Sequence, residues 1–106
     1  MKLRTLAHSR SGDKGAVTTL SLIAFDERQY PRLVREVTVE RVQAHFAGLF
    51  TGPVTRYELP ALGALNFVLR GRAGGGVTST QALDAHGKSF SSALLELEVP
   101  DGHSER

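Results

Sequence analysis

Cysteine is missing from this sequence of 106 residues. The fold therefore contains no disulfide bond, and thiolate ligands for a metal are excluded. This composition fits a reducing compartment, and we expect a cytoplasmic protein. Long hydrophobic runs are missing too: none approaches the ~18 residues of a membrane helix, and the first residues are too few and too polar for a signal peptide. We therefore expect a soluble protein that does not act in a membrane.

A concentration of charge of one sign is also lacking. Lysine and arginine number 13 and aspartate and glutamate 11, which leaves a net charge of +2. The arginines are scattered among acidic residues. The strongest sign of a nucleic-acid-binding segment, Arg70-Gly71-Arg72-Ala73-Gly74-Gly75-Gly76, is a single short piece without interleaved aromatic residues. Proteins that bind nucleic acid usually carry a concentrated basic face. Nucleic acid is therefore not an expected partner.

Metal-ligand spacing is absent as well. No two of the histidines are separated by the interval that places two ligands on one helix face: His8, His45, His86 and His103. There is no His-Glu-x-x-His motif. We therefore expect no metal site and no cofactor.

What the chain does contain is one domain of alternating elements. Residues 1–100 are enough for a single domain, and residues 101–106 read as a polar, mobile tail. Alternation of apolar and polar residues predicts strands, which we place at Leu3–His8, Val17–Phe25, Val54–Leu59 and Leu62–Arg70. A hairpin is predicted from Val77–Leu83 to a final run ending at Val99, in which a short helical turn precedes the strand.

The helical signals lie between the second and third predicted strands. Asp26 can cap a first segment, and Pro31 suits an early helical position. Thr38 can cap a second segment, and Gly48 can end it. One long kinked helix and two short helices both remain possible. The sum is an α+β fold, with a four- to six-stranded, mainly antiparallel sheet and one long or two short helices across one face.

The segment Ser9–Gly15 is interpreted as a glycine-rich loop. Its glycines permit positive φ angles, which let backbone N–H groups form a concavity that attracts anions, and Arg10 and Lys14 would add positive charge. The alternative is a polar turn in which Asp13 bonds its own backbone. The segment is not a phosphate-binding P-loop, since Lys14 is followed by glycine.

Two further sets of residues could carry chemistry. His8, Ser11 and Asp13 have the composition of a nucleophilic triad but lack the Gly-x-Ser-x-Gly elbow; Asp13 is the best single catalytic candidate. Asn66 is poorly suited to a strand interior, so its amide faces solvent, pairs with backbone or points at a ligand. We predict that Asn66 lies beside the Ser9–Gly15 segment, and Tyr57 and Glu58 could share that site.

Several segments together resemble the AtuA-like domain, which forms the C-terminal part of acyclic terpene utilization proteins and also exists alone. The resemblance spans about Leu6 to Val99. It rests on Ala7-His8-Ser9-Arg10-Ser11-Gly12-Asp13-Lys14-Gly15, Val42-Gln43-Ala44-His45-Phe46, Tyr57 through Phe67, Gly74-Gly75-Gly76-Val77 and Ser92-Ala93-Leu94-Leu95.

The resemblance implies a ferredoxin-like βαββαβ sandwich without an iron–sulfur cluster. The positions that match the family pattern are the candidate ligand-binding residues: Arg10, Ser11, Gly12, Asp13, Lys14, Gly15, Asn66, Gly74, Gly75 and Gly76. Ala16 and Thr19 depart from the pattern, which usually has a polar residue and an asparagine there. That departure would weaken or alter any ligand site they help to form.

The function implied is that of a stand-alone accessory domain. It would act with a larger catalytic subunit in acyclic terpene or branched acyl-CoA catabolism and bind an acyl-CoA or another anionic small molecule. The alternative is a small acyl-CoA-directed hydratase, lyase or hydrolase that uses the segment Arg10–Gly15. A homo-oligomer is also expected, since ferredoxin-like sheets have one open face and exposed edges.

Overall fold

The computed structural model describes residues 1–71 and 90–100. One antiparallel sheet has the strand order β1-β2-β4-β3. Its strands are β1 (Ala7–Lys14), β2 (Val17–Ala24), β3 (Val54–Leu59) and β4 (Ala64–Arg70), and the helices are α1 (Tyr30–Glu36), α2 (Val39–His45) and α3 (Phe90–Leu94). Short 3₁₀ segments cover Leu3–Thr5, Glu27–Gln29 and Pro60–Leu62. This is an α+β, ferredoxin-like arrangement, as the sequence predicts.

The order of the elements differs from the βαββαβ order that the resemblance implies. Over the described residues, two strands come first, then α1 and α2, then two strands, then α3. If α1 and α2 are counted as one helical layer, this is the ferredoxin-like order with its last strand moved to the front. The first strand therefore occupies an edge of the sheet, beside β2.

The two faces of the sheet have different environments because strand side chains alternate. On the inner face, Leu20, Leu22, Leu65 and Phe67 are fully buried. They belong to one hydrophobic core with residues of all three helices. The helices therefore cover this side of the sheet.

The opposite side, called the outer face below, is formed by the alternate residues of the four strands. In register they are His8, Arg10, Gly12 and Lys14 of β1, Val17, Thr19, Ser21 and Ile23 of β2, Ala64, Asn66, Val68 and Arg70 of β4, and Thr55, Tyr57 and Leu59 of β3. None of the helices in the described part of the chain packs on it.

Local signals divide the helical region into two short helices. The Asp26 side chain accepts a hydrogen bond from the Arg28 backbone N–H at 3.0 Å, and Pro31 lies in the first turn of α1. The Thr38 hydroxyl accepts from the Arg41 backbone N–H at 3.2 Å and caps α2. The predicted N-terminal caps at Asp26 and Thr38 are confirmed, whereas α2 ends at His45, before the predicted terminator Gly48.

The predicted loop at Ser9–Gly15 is wrong: the structure has a strand there. β1 pairs with β2 without interruption from Ala7 opposite Ala24 to Lys14 opposite Val17. The turn is reduced to Gly15 and Ala16. Gly15 has φ +63°, and Ala16 does not have a positive φ, a combination typical of the type II′ turns that favour two-residue hairpins. Pairing with β2 holds this segment in an extended conformation, although its own sequence has no alternation of apolar and polar residues.

The predicted first strand also begins later than expected. Leu3–Thr5 is a 3₁₀ segment, and β1 starts at Ala7. Leu3 and Leu6 are both buried, a spacing of three that suits a 3₁₀ turn. Near the other end of the chain, the predicted helical turn is confirmed as α3. Glu98 then forms a single bridge with Lys2 where a longer strand was predicted.

The predicted 77–83 strand, the triple glycine at Gly74–Gly76 and the 101–106 tail lie outside the described residues. Among the residues that are described, no helix has the length and apolar character needed to cross a membrane.

Candidate functional site

β1 divides the predicted anion-binding residues between the two sides of the sheet. Arg10, Gly12 and Lys14 belong to the outer face, whereas Ser11 and Asp13 alternate with them. The Asp13 carboxylate accepts a hydrogen bond from the Thr18 hydroxyl at 2.8 Å. A concavity of successive backbone N–H groups needs a turn conformation, and in this segment the backbone is extended. The glycine-rich segment is therefore part of a surface and not a phosphate-type cradle.

The same alternation separates the members of the triad considered in the sequence. His8 lies on the outer face, and Ser11 and Asp13 lie on the other side of β1. The His8 ring stacks on Phe25, with ring centroids 5.6 Å apart. These three residues are therefore not brought together as a nucleophile, a base and an orienting acid.

Asn66 shares a row of the outer face with Arg10. Arg10 lies opposite Ser21, Ser21 opposite Asn66, and Asn66 opposite Tyr57. The Ser21 hydroxyl donates to the Asn66 side-chain oxygen at 2.8 Å. Two interstrand spacings of ~4.8 Å put the Cα atoms of Arg10 and Asn66 about 10 Å apart. A ligand of modest size, or a partner surface, could therefore contact both residues.

The outer face is positively charged. Three of its residues are cations (Arg10, Lys14 and Arg70), and none of those named above as forming it is an aspartate or glutamate. The side chains of Arg10 and Lys14 form no hydrogen bond or ion pair within residues 1–71 and 90–100. The carboxylate of Glu58 points to the other side and pairs with Arg56 at 3.0 Å. Of the two residues predicted to join Asn66, only Tyr57 does so.

A pocket that the sequence analysis missed lies at one end of the outer face. Its volume is about 410 Å³, and its lining comes from all four strands and the Pro60–Leu62 segment: His8, Arg10, Ser21, Ile23, Leu59, Leu62 and Ala64. A second hollow of about 500 Å³ lies near the hairpin end of β1 and is lined by Gly12, Asp13, Lys14, Val17 and Thr19. The alternation of residues in β2 and β4 could have placed Ile23 and Ala64 on the same face of the sheet. The pocket could not be predicted, because His8 and Arg10 join that face only if β1 is a strand.

The described residues contain no metal-type cluster. No group of three or more His, Asp or Glu side chains in that part of the chain is placed to hold an ion. His45 lies on the helical side, where its Nε2 atom is 2.6 Å from the Ala93 carbonyl oxygen. This contact joins α2 to α3.

Two carboxyl groups with lowered pKa values lie away from the outer face. Hydrogen bonds from Arg28 lower the pKa of Asp26. Burial raises the pKa of Glu96, but the hydrogen bonds and charges of Arg4 and Lys2 outweigh that effect and leave the pKa below its usual range. Both shifts are thus caused by ion pairs with neighbouring basic side chains.

Comparison with known proteins gives one match. The family model described as the AtuA ferredoxin-like domain matches residues 1–100. No curated protein and no solved structure matches the chain.

Proposed function

The chain belongs to the AtuA ferredoxin-like domain family, and from this membership we propose that it is an accessory binding domain for a larger catalytic partner. The pathway we propose is acyclic terpene or branched acyl-CoA breakdown. The single observation that carries the binding role is the outer face, where a row of polar side chains, together with two cations that have no partner among the described residues, lies opposite the helical layer.

The composition of this face supports a binding role. Tyr57 and Leu59 are 49% and 38% exposed, so apolar area accompanies the charges of Arg10 and Lys14. Interfaces commonly combine aromatic anchors with arginine. The face would attract an acidic surface of a partner protein, or an anionic small molecule such as an acyl-CoA.

The alternative, a small acyl-CoA-directed hydratase, lyase or hydrolase, has less support from the geometry. Its acid or base would be Asp13, which lies on the other side of β1 from Arg10 and Lys14 and is hydrogen-bonded to Thr18. A general base must reach the proton that it abstracts from the bound substrate. The favoured role is therefore binding.

A homo-oligomer and a cytoplasmic location are further parts of the proposal. β1 and β3 are edge strands in the described sheet, and an unpaired edge can add a strand of another copy. A cleanly monomeric mass in sedimentation analysis at micromolar concentration would contradict the oligomer.

The partner hypothesis can be tested by charge reversal on the outer face. The tagged wild-type chain, Lys14→Glu and the control Arg35→Glu would be expressed in the source cell and purified with their bound proteins. Arg35 is exposed on α1, in the helical layer. We expect the wild type and Arg35→Glu to retain an enzyme of acyl-CoA metabolism larger than this chain, and Lys14→Glu to lose it. Absence of such an enzyme from all three samples, or equal recovery by all three, would contradict the proposal.

A further inference from the structure

The pocket beside Arg10 combines one cation with an apolar lining. Ile23 and Ala64 are paired neighbours on the outer face, and Leu59 lies opposite Ala64 on the next strand. Leu62, which is 69% exposed, follows from the segment that joins β3 to β4. Ala64 is almost fully buried at 3%, and the Pro60–Leu62 segment contacts its strand. Its small side chain therefore lies at the bottom of the hollow, between larger neighbours.

Within the described part of the chain, the charge in this pocket lacks a counter-ion. The Arg10 guanidinium has no partner within the described residues, and no aspartate or glutamate lines the pocket. The Ser21 hydroxyl is used by Asn66, and the His8 ring is stacked on Phe25. Guanidinium groups bind carboxylates through two parallel hydrogen bonds, most strongly where water is partly excluded.

We propose that this pocket binds a small monocarboxylate with a hydrocarbon body. The carboxylate lies on the Arg10 guanidinium, and the hydrocarbon lies over Ile23 and Ala64 toward Leu59 and Leu62. The volume of about 410 Å³ falls at the lower end of the range for small-molecule pockets. Three interstrand spacings of ~4.8 Å, or about 14 Å, separate β1 from β3, so a medium-length chain can reach from the cation to the leucines.

This proposal rests on the proposed function in one respect, since it takes the outer face as the binding surface. It adds that the ligand must carry both a negative charge and an apolar chain. Acetate supplies the charge alone, octylammonium supplies the apolar length with the opposite charge, and octanoate supplies both. Octanoyl-CoA separates a free carboxylate from the phosphates of a coenzyme A thioester.

The test is a titration of the purified full chain with each of these four compounds. Binding is measured from the amide chemical shifts and by calorimetry. We expect octanoate to bind about 10-fold or more tightly than acetate and octylammonium, because both the apolar contact and the charge-assisted hydrogen bonds contribute. The amide shifts should centre on His8, Arg10, Ile23 and Ala64.

Variants locate the site. Arg10→Gln should weaken octanoate binding by about 10-fold or more, the effect of a lost charged hydrogen bond. The control Arg35→Gln removes the same charge from the helical layer and should change the dissociation constant less than about 2-fold. Unchanged melting temperatures for both variants will show that each is folded.

Three results would overturn the proposal: octylammonium binding as tightly as octanoate, unchanged affinity in Arg10→Gln, or shifts centred outside the pocket. Arg10-dependent binding of octanoyl-CoA without binding of octanoate would also overturn it, while leaving the proposed anion-binding function standing. Because this titration needs no partner protein and changes Arg10, its failure is distinguishable from a failure of the Lys14→Glu partner experiment.

Discussion

The guanidinium of Arg56 extends from β3 on the inner side of the sheet and donates to the carbonyl oxygens of Val34 and Val37, at 2.7 and 2.9 Å. The last carbonyl groups of a helix have no partner within it, and α1 ends at Glu36. A cation is also favoured at that end of a helix. Arg56 is 17% exposed and pairs with Glu58 as well. It therefore joins the helical layer to the sheet.

Replacing this side chain tests that role. We expect Arg56→Met to lower the free energy of unfolding by about 1.5–3 kcal/mol, since two carbonyl groups lose a charged donor. The control Arg35→Met removes a half-exposed ion pair with Glu36 and should cost about 0.5 kcal/mol or less. Urea unfolding measures both. Equal losses in the two variants would contradict the assigned role.

Single residues also show what the sequence could predict. The oddity of Asn66 in an apolar strand indicated that its amide faces solvent, pairs with backbone or points at a ligand, because a strand interior rarely tolerates an unpaired amide. In the structure its side-chain oxygen instead accepts a hydrogen bond from the Ser21 side chain. Its hydrogen bond to Ser21 depends on the register between β2 and β4, which no local pattern specifies. The role of Arg56 likewise depends on the position of α1 relative to β3.

At the scale of elements, local chemistry predicted the helices better than the first strand. Asp26, Pro31 and Thr38 act on backbone groups within three residues of themselves, so their signals can be identified in the sequence. β1 has exposed residues throughout Arg10–Lys14 and is extended because it pairs with β2. The prediction of a loop failed because this pairing depends on residues outside the segment, so the local sequence of β1 does not indicate it.

The cap at Asp26 predicts a pH effect. Hydrogen bonds from Arg28 lower the pKa of Asp26 below its usual value of 3.8. The native state therefore binds fewer protons here than the unfolded state. The resulting stability is fully present above the unfolded pKa and is lost as the pH falls through the lower native pKa.

Asp26→Asn isolates this effect, because asparagine keeps an acceptor for the Arg28 backbone N–H and removes the charge. We expect the wild type to have the higher urea midpoint at neutral pH. The difference should close as the pH falls below the native pKa of Asp26. Urea titrations from about pH 7 to about pH 2.5 measure it. A difference that stays constant over this range would show that the charge of Asp26 contributes nothing.

At the scale of the whole molecule, the first and last described segments pack on each other. The Leu3 N–H donates to the Leu97 carbonyl at 2.8 Å, and the Arg4 N–H donates to the Leu95 carbonyl at 3.0 Å. Leu97 is 8% exposed and belongs to the core. Arg32, buried on α1, donates to the Pro100 carbonyl. The core is therefore closed by residues far apart in the sequence.

Truncation of Leu97 tests this closure. We expect Leu97→Ala to cost about 2–5 kcal/mol, the usual range for a buried leucine. Leu62→Ala makes the same change at a side chain that is 69% exposed and should cost about 0.5 kcal/mol or less. Thermal and urea unfolding of the two variants measure the difference. Comparable stability in both would contradict the closure of the core by Leu97.

The candidate site also depends on the fold of the whole molecule. Arg10 is far in the sequence from Leu62 and Asn66, and only the sheet order β1-β2-β4-β3 brings it to the same face as they are. Composition and motifs indicated polar residues of interest at Arg10 and Asn66. They carried no information on the apolar pocket, because that pocket arises from the register of four strands and not from any contiguous segment.

The contact between Leu3 and Leu97 has a consequence for engineering. Since the two ends of the described chain are held side by side, the domain can be spliced into a surface loop of a host protein with both junctions at a single point. Such a graft would leave the sheet face opposite the helices exposed. A fluorescent host carrying this insert would then test whether the proposed ligand occupies that face.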